Sequence, residues 1–379
     1  MSKRRIVITT GTRAEYGLLR PVLQKISKNK NLQLFLIVTG THLSKKHGMT
    51  INEIRKDGFK IFQTIKFLPK ENTNFHTAKS LGNGIINFAK IFNKIKPDIN
   101  VILVDRPEVL ASAISAYTMN IPNAHIHGGD VSGNIYEYTR HAITKISNIH
   151  FPATQKSKHR IVKMGENPKS VLFVGSPSID DIQSGKISSN VYIEKKYGID
   201  LNKKFIVLLY HPVTTRINNI KNNIKLILNA VASFNLPTIV ISPNSDSGSD
   251  IINNEIEKFE KKYYFAKLFS SIPRDDFLCL LNNSGILVGN SSSGIIEGSY
   301  LGTPVVNIGP RQNGREQSSN VINVKNESKI LIKNAIGKAL KTKRKKSLLY
   351  GNGTSSQKIT RHLEKIKLDD ELMEKRLRY

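Results

Sequence analysis

The chain has 379 residues, more than one ordinary hydrophobic core holds, so we expect two domains. Apolar residues make up 39% of the chain and charged residues 23%, proportions that exclude a disordered or fibrous protein. The single cysteine, Cys279, excludes an internal disulfide and a multi-cysteine metal site, and we expect no metal site of any kind.

A formal net charge of +29 is typical of proteins that bind nucleic acid, an anionic membrane or an anionic substrate. The basic residues are mostly lysines spread along the chain, and the densest cluster, at residues 341–346, has no interleaved aromatic residues. We therefore expect a solvated basic surface and no nucleic-acid partner. The N-terminal apolar run lacks the length of a signal peptide, and no stretch approaches the roughly 20 apolar residues of a membrane span. A cytoplasmic protein is expected.

The first half of the sequence alternates predicted strands and helices. Strands are predicted at residues 5–10, 32–39, 59–64, 99–104 and 123–127, and helices at residues 16–26, 44–55, 81–95, 107–119 and 137–147. The nearly continuous apolar run at 99–104 is typical of a strand that helices bury on both faces. This α/β pattern predicts an open parallel sheet, which binds ligands at the carboxyl ends of its strands.

The same alternation starts afresh near residue 175. Strands are predicted at residues 205–210, 238–242, 263–267, 285–289 and 305–308, and helices at residues 218–233, 250–261, 273–282 and 293–300. Two Rossmann-like domains are therefore predicted, at 1–174 and 175–354. The last segment, 355–378, is predicted to be one long basic helix, with Ser355 or Ser356 as its N-cap, that packs back on the first domain.

The strongest local motif is GNSSSG at residues 289–294, between a predicted strand and a predicted helix. Small residues let the backbone approach an anion, and the N–H groups of a helix start point toward it. The motif therefore indicates a phosphate site, with a simple capped turn as the alternative. Glu297, about one turn further on, suits either a helix cap or the two hydroxyls of a ribose.

Three other segments of the second half place polar side chains after predicted strands. Arg311 and Arg315 follow the strand at 305–308, and a guanidinium binds phosphate in a bidentate manner. His211 and Asn244 each follow a predicted strand and would lie at the same sheet edge. Solvated loop arginines, a structural histidine and ordinary turn chemistry are the alternatives.

The first half carries a matching set of polar loops at its predicted strand ends. These loops contain Arg13, then Asp105 and Arg106, then His125, His127 and Asp130. The next predicted helix starts with Glu137, Arg140 and His141, and its spacing puts Glu137 and His141 on one face. Several titratable groups therefore converge on one rim of the sheet.

Taken together, these motifs resemble the UDP-N-acetylglucosamine 2-epimerase family, in particular its hydrolysing branch in sialic and legionaminic acid biosynthesis. The motifs are GTRAEYGLL at 11–19, DRPE at 105–108, HIHGGDVSG at 125–133, RHAITK at 140–145, HPVT at 211–214 and the region 289–315. They cover nearly the whole chain. The resemblance implies a glycosyltransferase-B type fold, with two Rossmann-like domains and a central cleft.

The resemblance also implies a role for each matching residue. The nucleotide would be held by Arg13, His211, Asn244, Ser291, Ser292, Glu297 and Arg311, with the two serines on the diphosphate and Glu297 on the ribose. Arg106 and Arg140 would complete the substrate site, with Arg106 and Asp105 facing the sugar. No cofactor is required, and a homodimer or homotetramer is expected.

Three positions depart from the pattern of the family. His127 replaces a glutamate of many relatives, Tyr136 replaces an acidic residue, and Val104 replaces the usual glycine before the aspartate. Asp105 is the first candidate for acid/base catalysis or positioning. Glu137 and His127 are candidates for the other proton transfer, with Asp130 in support.

The implied reaction is the anti elimination of UDP from a UDP-activated N-acetylhexosamine, followed by hydration. The substrate would be UDP-GlcNAc or a 2,4-diacetamido-6-deoxy analogue, and the product a free 2-epimeric sugar such as ManNAc. A non-hydrolysing UDP-GlcNAc 2-epimerase and a glycosyltransferase-B type transferase are the alternative enzymes. A catalytically inactive binding protein is the third alternative, motivated by Tyr136.

Overall fold

The structure is a computed structural model that describes residues 3–69, 71, 73–133, 136–244, 246–376 and 378. Two units form within it. Unit 1 comprises residues 1–130, 136–180 and 351–379, and unit 2 comprises residues 131–135 and 181–350. The domain limits drawn from the sequence alone remain a prediction.

Unit 1 is built on a six-stranded sheet in the order β3-β2-β1-β4-β5-β6. Its strands are β1 (Arg4–Thr10), β2 (Leu32–Thr39), β3 (Ile61–Ile65), β4 (Ile99–Leu103), β5 (Asn123–Ile126) and β6 (Ile149–Phe151). Every neighbouring pair is parallel. The strand order reverses between β1 and β4, which makes the carboxyl ends of these two strands the expected ligand position.

Helices cover the sheet of unit 1 because each strand is followed by an amphipathic segment. They are α1 (Arg13–Ser27), α2 (Ile51–Lys56), α3 (Asn74–Ile95), α4 (Pro107–Thr118), α5 (Tyr136–Lys145) and α6 (Gln155–Lys163), and α7 (Ser178–Gln183) crosses into unit 2. In α1, the residues at helical spacing, Leu19, Val22, Leu23 and Ile26, are fully buried with the apolar side chains of β1 and β2.

Unit 2 repeats this architecture with the order β12-β11-β10-β7-β8-β9. Its strands are β7 (Ile206–Leu209), β8 (Thr238–Ile241), β9 (Ala266–Phe269), β10 (Ile286–Gly289), β11 (Val305–Ile308) and β12 (Val321–Val324). Its helices are α8 (Asn190–Tyr197), α9 (Ile220–Ala232), α10 (Ser249–Lys262), α11 (Arg274–Asn283), α12 (Ser292–Ile295), α13 (Glu297–Leu301) and α14 (Lys329–Ala339). All its strand pairs are parallel, and the order reverses between β7 and β10. The predicted class, α/β with two Rossmann-like sheets, is confirmed.

Two predicted elements of unit 2 differ from the structure. The predicted helix at 293–300 is interrupted at Ile296, which lies between α12 and α13. The predicted strand at 263–267 begins later, at Ala266, because Tyr263 ends α10 and forms a turn with its backbone. Strands β6 and β12 are short and lie at sheet edges, and the sequence pattern did not predict them.

The C-terminal segment is not the single long helix that the sequence predicted. It forms α15 (Ser355–Lys365), which contacts α1, and a short α16 (Asp370–Met373). The helix ends at Ile366, where the backbone is extended, and Asp369 caps a new turn by accepting the Leu372 N–H at 3.2 Å. The N-cap prediction was also wrong, since both predicted caps lie inside α15.

A distant carboxylate caps α15 in place of a local side chain. Asp180 accepts the backbone N–H groups of Ser355 at 3.0 Å and Ser356 at 2.6 Å. An anionic acceptor at a helix start also interacts favourably with the helix dipole. A cap supplied from so far along the chain leaves no local sequence signal.

The residues after α16 fasten the C-terminal end of α5. Lys375 donates to the carbonyls of Lys145 at 2.6 Å and Ser147 at 2.7 Å, and it pairs with the buried Glu166 at 2.7 Å. Glu166 also accepts from Lys145 at 2.7 Å and His150 at 3.1 Å. A cation is favourable at a helix C-terminus, so this cluster stabilises the end of α5.

No helix in the described part of the chain is long and apolar enough to cross a membrane.

Candidate functional site

The turn after β1 places Arg13 at the carboxyl edge of unit 1. Thr12 caps α1 by accepting the Glu15 N–H at 3.3 Å. The guanidinium of Arg13, half-buried at the first position of the helix, lies 3.9 Å from the carboxylate of Glu53 on α2. Arg13 therefore lies at the strand end, and its role in substrate binding stays a prediction.

A buried ion pair lies at the end of the neighbouring strand β4. Arg140 on α5 donates to a carboxylate oxygen of Asp105, and the two residues are only 2% and 8% exposed. Burial alone would lower the pKa of Arg140, but Asp105 and Asp130 outweigh it and raise that pKa. The guanidinium therefore stays charged and holds Asp105 in place.

The same guanidinium begins a chain of buried hydrogen bonds. Its other terminal nitrogen donates to the backbone carbonyl of Asp130 at 2.7 Å, and the Asp130 carboxylate lies 3.3 Å from Nδ1 of His127. His127 Nε2 lies 3.0 Å from the hydroxyl of Ser176, and Ser157 donates to Asp130 at 2.7 Å. These contacts bring together four predicted site residues of unit 1: Asp105, His127, Asp130 and Arg140. The ring of His127 is engaged at both nitrogens.

The backbone that presents Asp105 is strained. Val104 has φ +56°, a left-handed conformation that a β-branched residue adopts only at a cost of about 1–2 kcal/mol. Its carbonyl accepts a hydrogen bond from Nε2 of the buried His125 at 2.8 Å, which helps to hold the turn. The family resemblance leads us to expect glycine here, and Val104 takes a left-handed conformation that glycine would adopt without strain.

Glu137 and Arg106 flank this ion pair. Glu137 lies in the first turn of α5, half-buried, with its carboxylate 3.8 Å from Nε2 of His141, as the helical spacing predicted. Arg106 donates from Nε to the buried Glu108 at 3.0 Å. The carboxyl edge of unit 1 thus combines carboxylates with three guanidinium groups, those of Arg13, Arg106 and Arg140, a composition that suits proton transfer beside an anionic substrate.

The corresponding edge of unit 2 depends on Gly289 at the end of β10. This residue has φ +143°, and a Cβ there would lie 1.9 Å from the carbonyl oxygen of Leu209, so only glycine fits. The next residue, Asn290, accepts the N–H of His211 at 2.7 Å and donates to its carbonyl at 2.9 Å. Its own carbonyl accepts from Arg311 at 3.0 Å. Asn290 therefore ties three loops of unit 2 together.

His211 is held as a neutral ring in a defined tautomer. Its Nδ1 accepts the backbone N–H of Asn244 at 3.1 Å, so the proton of the neutral ring is on Nε2. Burial, and then the neighbouring charge of Arg311, lower the pKa of His211 well below its ordinary value. The ring thus offers one N–H donor without a charge.

The serine-rich turn lies directly after Asn290. Ser291 caps α12 by accepting the Ser293 N–H at 3.3 Å, and Ser292 begins the helix. Glu297 begins α13 and pairs at 3.3 Å with Arg274, which also lies 3.5 Å from Asp181. Glu297 is therefore a buried carboxylate that an arginine holds in a fixed position.

Three residues of this edge were missed by the sequence reasoning. Asn290 and Gln312 lie inside predicted motifs but received no role, although Gln312 donates to the Asn290 carbonyl at 2.9 Å. Arg274 lies outside every motif, and only the tertiary structure shows its pairing with Glu297. Among the described residues, no group of three or more His, Cys, Asp and Glu side chains could hold a metal ion.

Comparison with known proteins shows which family the chain belongs to. The model of the UDP-N-acetylglucosamine 2-epimerase family matches residues 24–364. The chain is 38% identical to a UDP-N,N'-diacetylbacillosamine 2-epimerase (hydrolyzing) of Legionella pneumophila, over 98% of both chains. It is 36% identical to a GDP/UDP-N,N'-diacetylbacillosamine 2-epimerase (hydrolyzing) of Campylobacter jejuni, over 85% of this chain and 84% of that protein.

A solved structure gives the same result for the fold. The crystal structure of UDP-GlcNAc 2-epimerase from Neisseria meningitidis, bound to UDP-GlcNAc, is similar with a TM-score of 0.82 at 18% identity. The match covers 96% of this chain and 100% of that one. The resemblance predicted from the motifs is confirmed: the chain is an enzyme of the UDP-N-acetylglucosamine 2-epimerase family and belongs to its hydrolysing branch.

Proposed function

We propose that this protein hydrolyses and epimerises a UDP-activated N-acetylhexosamine, either UDP-GlcNAc or its 2,4-diacetamido-6-deoxy analogue. The observation that carries the proposal is the match, over nearly the full chain, to a relative named as a hydrolysing 2-epimerase of a diacetamido sugar nucleotide. The polar edges of the two sheets support it, because one is rich in anion-binding groups and the other in carboxylates.

The edge of unit 2 is proposed to bind the nucleotide. The Nε2–H of neutral His211, the hydroxyls of Ser291 and Ser292, and the guanidinium of Arg311 supply donors for a diphosphate. Asn244 would contribute a further polar contact, and Arg13 of unit 1 is proposed to bind the substrate as well. Glu297, fixed by Arg274, suits a ribose because a carboxylate accepts from both hydroxyls.

The edge of unit 1 is proposed to act on the sugar. A carboxylate removes the proton from C2 while the C1–O bond to the diphosphate breaks, which leaves a 2-acetamidoglucal and UDP. Water then adds its hydroxyl to C1, and a proton returns to C2 on the opposite face. The free sugar that results is the 2-epimer, such as ManNAc from UDP-GlcNAc. Cationic donors stabilise the departing diphosphate.

We assign the proton transfers to Asp105 and Glu137. The geometry supports this choice over His127, whose two ring nitrogens are engaged with Asp130 and Ser176. His127 and Asp130 are proposed to support the loop. Arg140 positions Asp105, and Arg106 binds the sugar or its phosphate.

The test is a product analysis across substrates. The purified protein is incubated with UDP-GlcNAc, with UDP-N,N'-diacetylbacillosamine and with the GDP counterpart, and the products are identified by chromatography and NMR. Free nucleotide together with a free 2-epimeric sugar is the expected result. A 2-epimer still linked to UDP would instead identify a non-hydrolysing epimerase. Turnover that requires a sugar acceptor would identify a transferase.

We also propose a homodimer or homotetramer in the cytoplasm, as the family resemblance implies. Size-exclusion chromatography with light scattering tests the assembly, and a monomeric mass would contradict it. Fractionation of cells that express the tagged protein tests the location.

A further inference from the structure

Two buried glutamates lie beside Gly11 at the strand ends where the sheet of unit 1 reverses its order. Glu15, in the first turn of α1, accepts the Gly11 N–H at 3.0 Å and the Thr12 hydroxyl at 3.3 Å. Glu108, in the first turn of α4, approaches Gly11 so closely that a Cβ there would lie 2.0 Å from its Oε1. Both glutamates are 3% exposed. Both glutamate side chains thus pack against the same glycine.

Burial disfavours the charged form of a carboxyl group, and a neighbouring carboxylate adds to this effect. Arg106 donates to Glu108 from Nε at 3.0 Å. Burial first, and then the charge of Glu108, raise the pKa of Glu15 to about 8. Within the described part of the chain, Oε1 of Glu15 is buried with no hydrogen-bond partner, which is far less costly for a neutral acid than for an anion.

The surroundings of Glu15 leave this assignment intact. The charged groups that act on it from the end of β4 and the start of α4 are Glu108, Arg106 and Asp105, and Arg106 is the only cation among these three. His42, which lies 3.1 Å from the neighbouring Thr10 hydroxyl, is neutral near neutral pH because burial lowers its pKa to about 4. It supplies no compensating charge.

We propose that Glu15 and Glu108 are positioning residues of the reaction: Glu15 acts as a neutral acid that holds the turn of residues 11–13, and Glu108 holds Arg106. The inference rests on the proposed function, because Arg106 is its sugar-side cation. When Glu15 ionises, the two carboxylates repel each other and compete for Arg106, which then leaves the position that the substrate needs. Activity should therefore fall on the alkaline side as the proton is lost.

The first experiment compares pH profiles of kcat/KM, measured with whichever of UDP-GlcNAc and UDP-N,N'-diacetylbacillosamine the enzyme turns over. At about pH 9, about one tenth of Glu15 remains protonated, so wild-type kcat/KM should be about tenfold lower than at about pH 7. Glu15→Gln mimics the protonated acid, and its ratio between the two pH values should be close to one. Glu257→Gln, an exposed glutamate on α10, should keep the wild-type ratio. An unchanged tenfold fall in Glu15→Gln would overturn the proposal.

A second experiment needs no turnover and so separates this inference from the proposed reaction. Infrared spectra of the wild-type protein should show the C=O band of a protonated carboxyl near neutral pH that disappears with a midpoint at about pH 8. Glu15→Gln should lack this transition. Wild-type protein with no carboxyl that titrates between about pH 6 and about pH 9 would refute the protonated Glu15, whether or not any nucleotide sugar is turned over. Because this infrared titration uses the wild-type protein, its result is decisive even if Glu15→Gln fails to fold.

Discussion

Replacing Arg140 with methionine tests the buried ion pair at the centre of the unit 1 edge. The change leaves the carboxylate of Asp105, a residue only 8% exposed, without its charged partner. It also removes the guanidinium that donates to the Asp130 carbonyl at 2.7 Å. Removing one partner of a buried pair costs about 3–5 kcal/mol, because the remaining charge is uncompensated. We expect the free energy of unfolding, measured by urea titration, to fall by about this amount.

A double-mutant cycle separates the pair from the rest of the side chain. Asp105→Asn together with Arg140→Met removes both charges, so the double variant should recover about 2 kcal/mol relative to the sum of the single variants. Arg361→Met, an exposed arginine on α15, is the control and should stay within about 0.5 kcal/mol of wild type. A cost below about 1 kcal/mol for Arg140→Met would refute the reasoning, since it would mean that water screens the pair.

Three further variants test the edge of unit 2 and the contacts of the C-terminal segment. Gly289→Ala should weaken UDP binding, measured by calorimetry, by at least about tenfold, because the added Cβ cannot fit. The control Gly82→Ala, whose Cβ would meet open space, should bind UDP normally. Equal binding by both variants would contradict the steric argument. Lys375→Met should lower the free energy of unfolding by about 1–3 kcal/mol. The control Lys367→Met, at an exposed lysine, should not lower it. A Lys375→Met protein as stable as wild type would show that the C-terminal segment does not stabilise the end of α5. Burial would raise the pKa of Glu166, but hydrogen bonds lower this pKa to about 2. The contribution of Glu166 to the stability of the protein is therefore complete above its unfolded pKa of about 4.5 and is lost as the pH falls through about 2. Glu166→Gln should flatten this acid limb of a thermal unfolding profile, and an unchanged limb would contradict the assignment.

The sheets could be predicted from the sequence because their signal is local. Buried parallel strands such as β2 and β4 read as apolar runs, and the amphipathic segment of α1 follows its strand directly. The C-terminal segment could not be predicted in this way. Its helix is capped by Asp180 and its tail is held by Glu166, and neither partner is near it in the sequence.

For the functional site, too, the local features could be predicted from the sequence and the long-range contacts could not. Motifs predicted which residues lie at the strand ends, since each motif follows a recognisable strand. They could not predict the contacts that fix those residues, such as the hydrogen bonds of Asn290 to His211, which lie 79 positions apart. The partnership of Glu15 with Glu108 likewise depends on two strands that become neighbours only in the folded sheet.

The most direct test of the proposed reaction is an NMR time course in D₂O with the nucleotide sugar that the enzyme turns over. Elimination and hydration predict free UDP and a free sugar inverted at C2, with deuterium incorporated at C2 in every product molecule. Asp105→Asn should slow product formation by at least about a hundredfold, because a proton-transfer group contributes about this much. A free sugar that retains the C2 proton and the original C2 configuration would contradict the account, since it would require simple hydrolysis at C1.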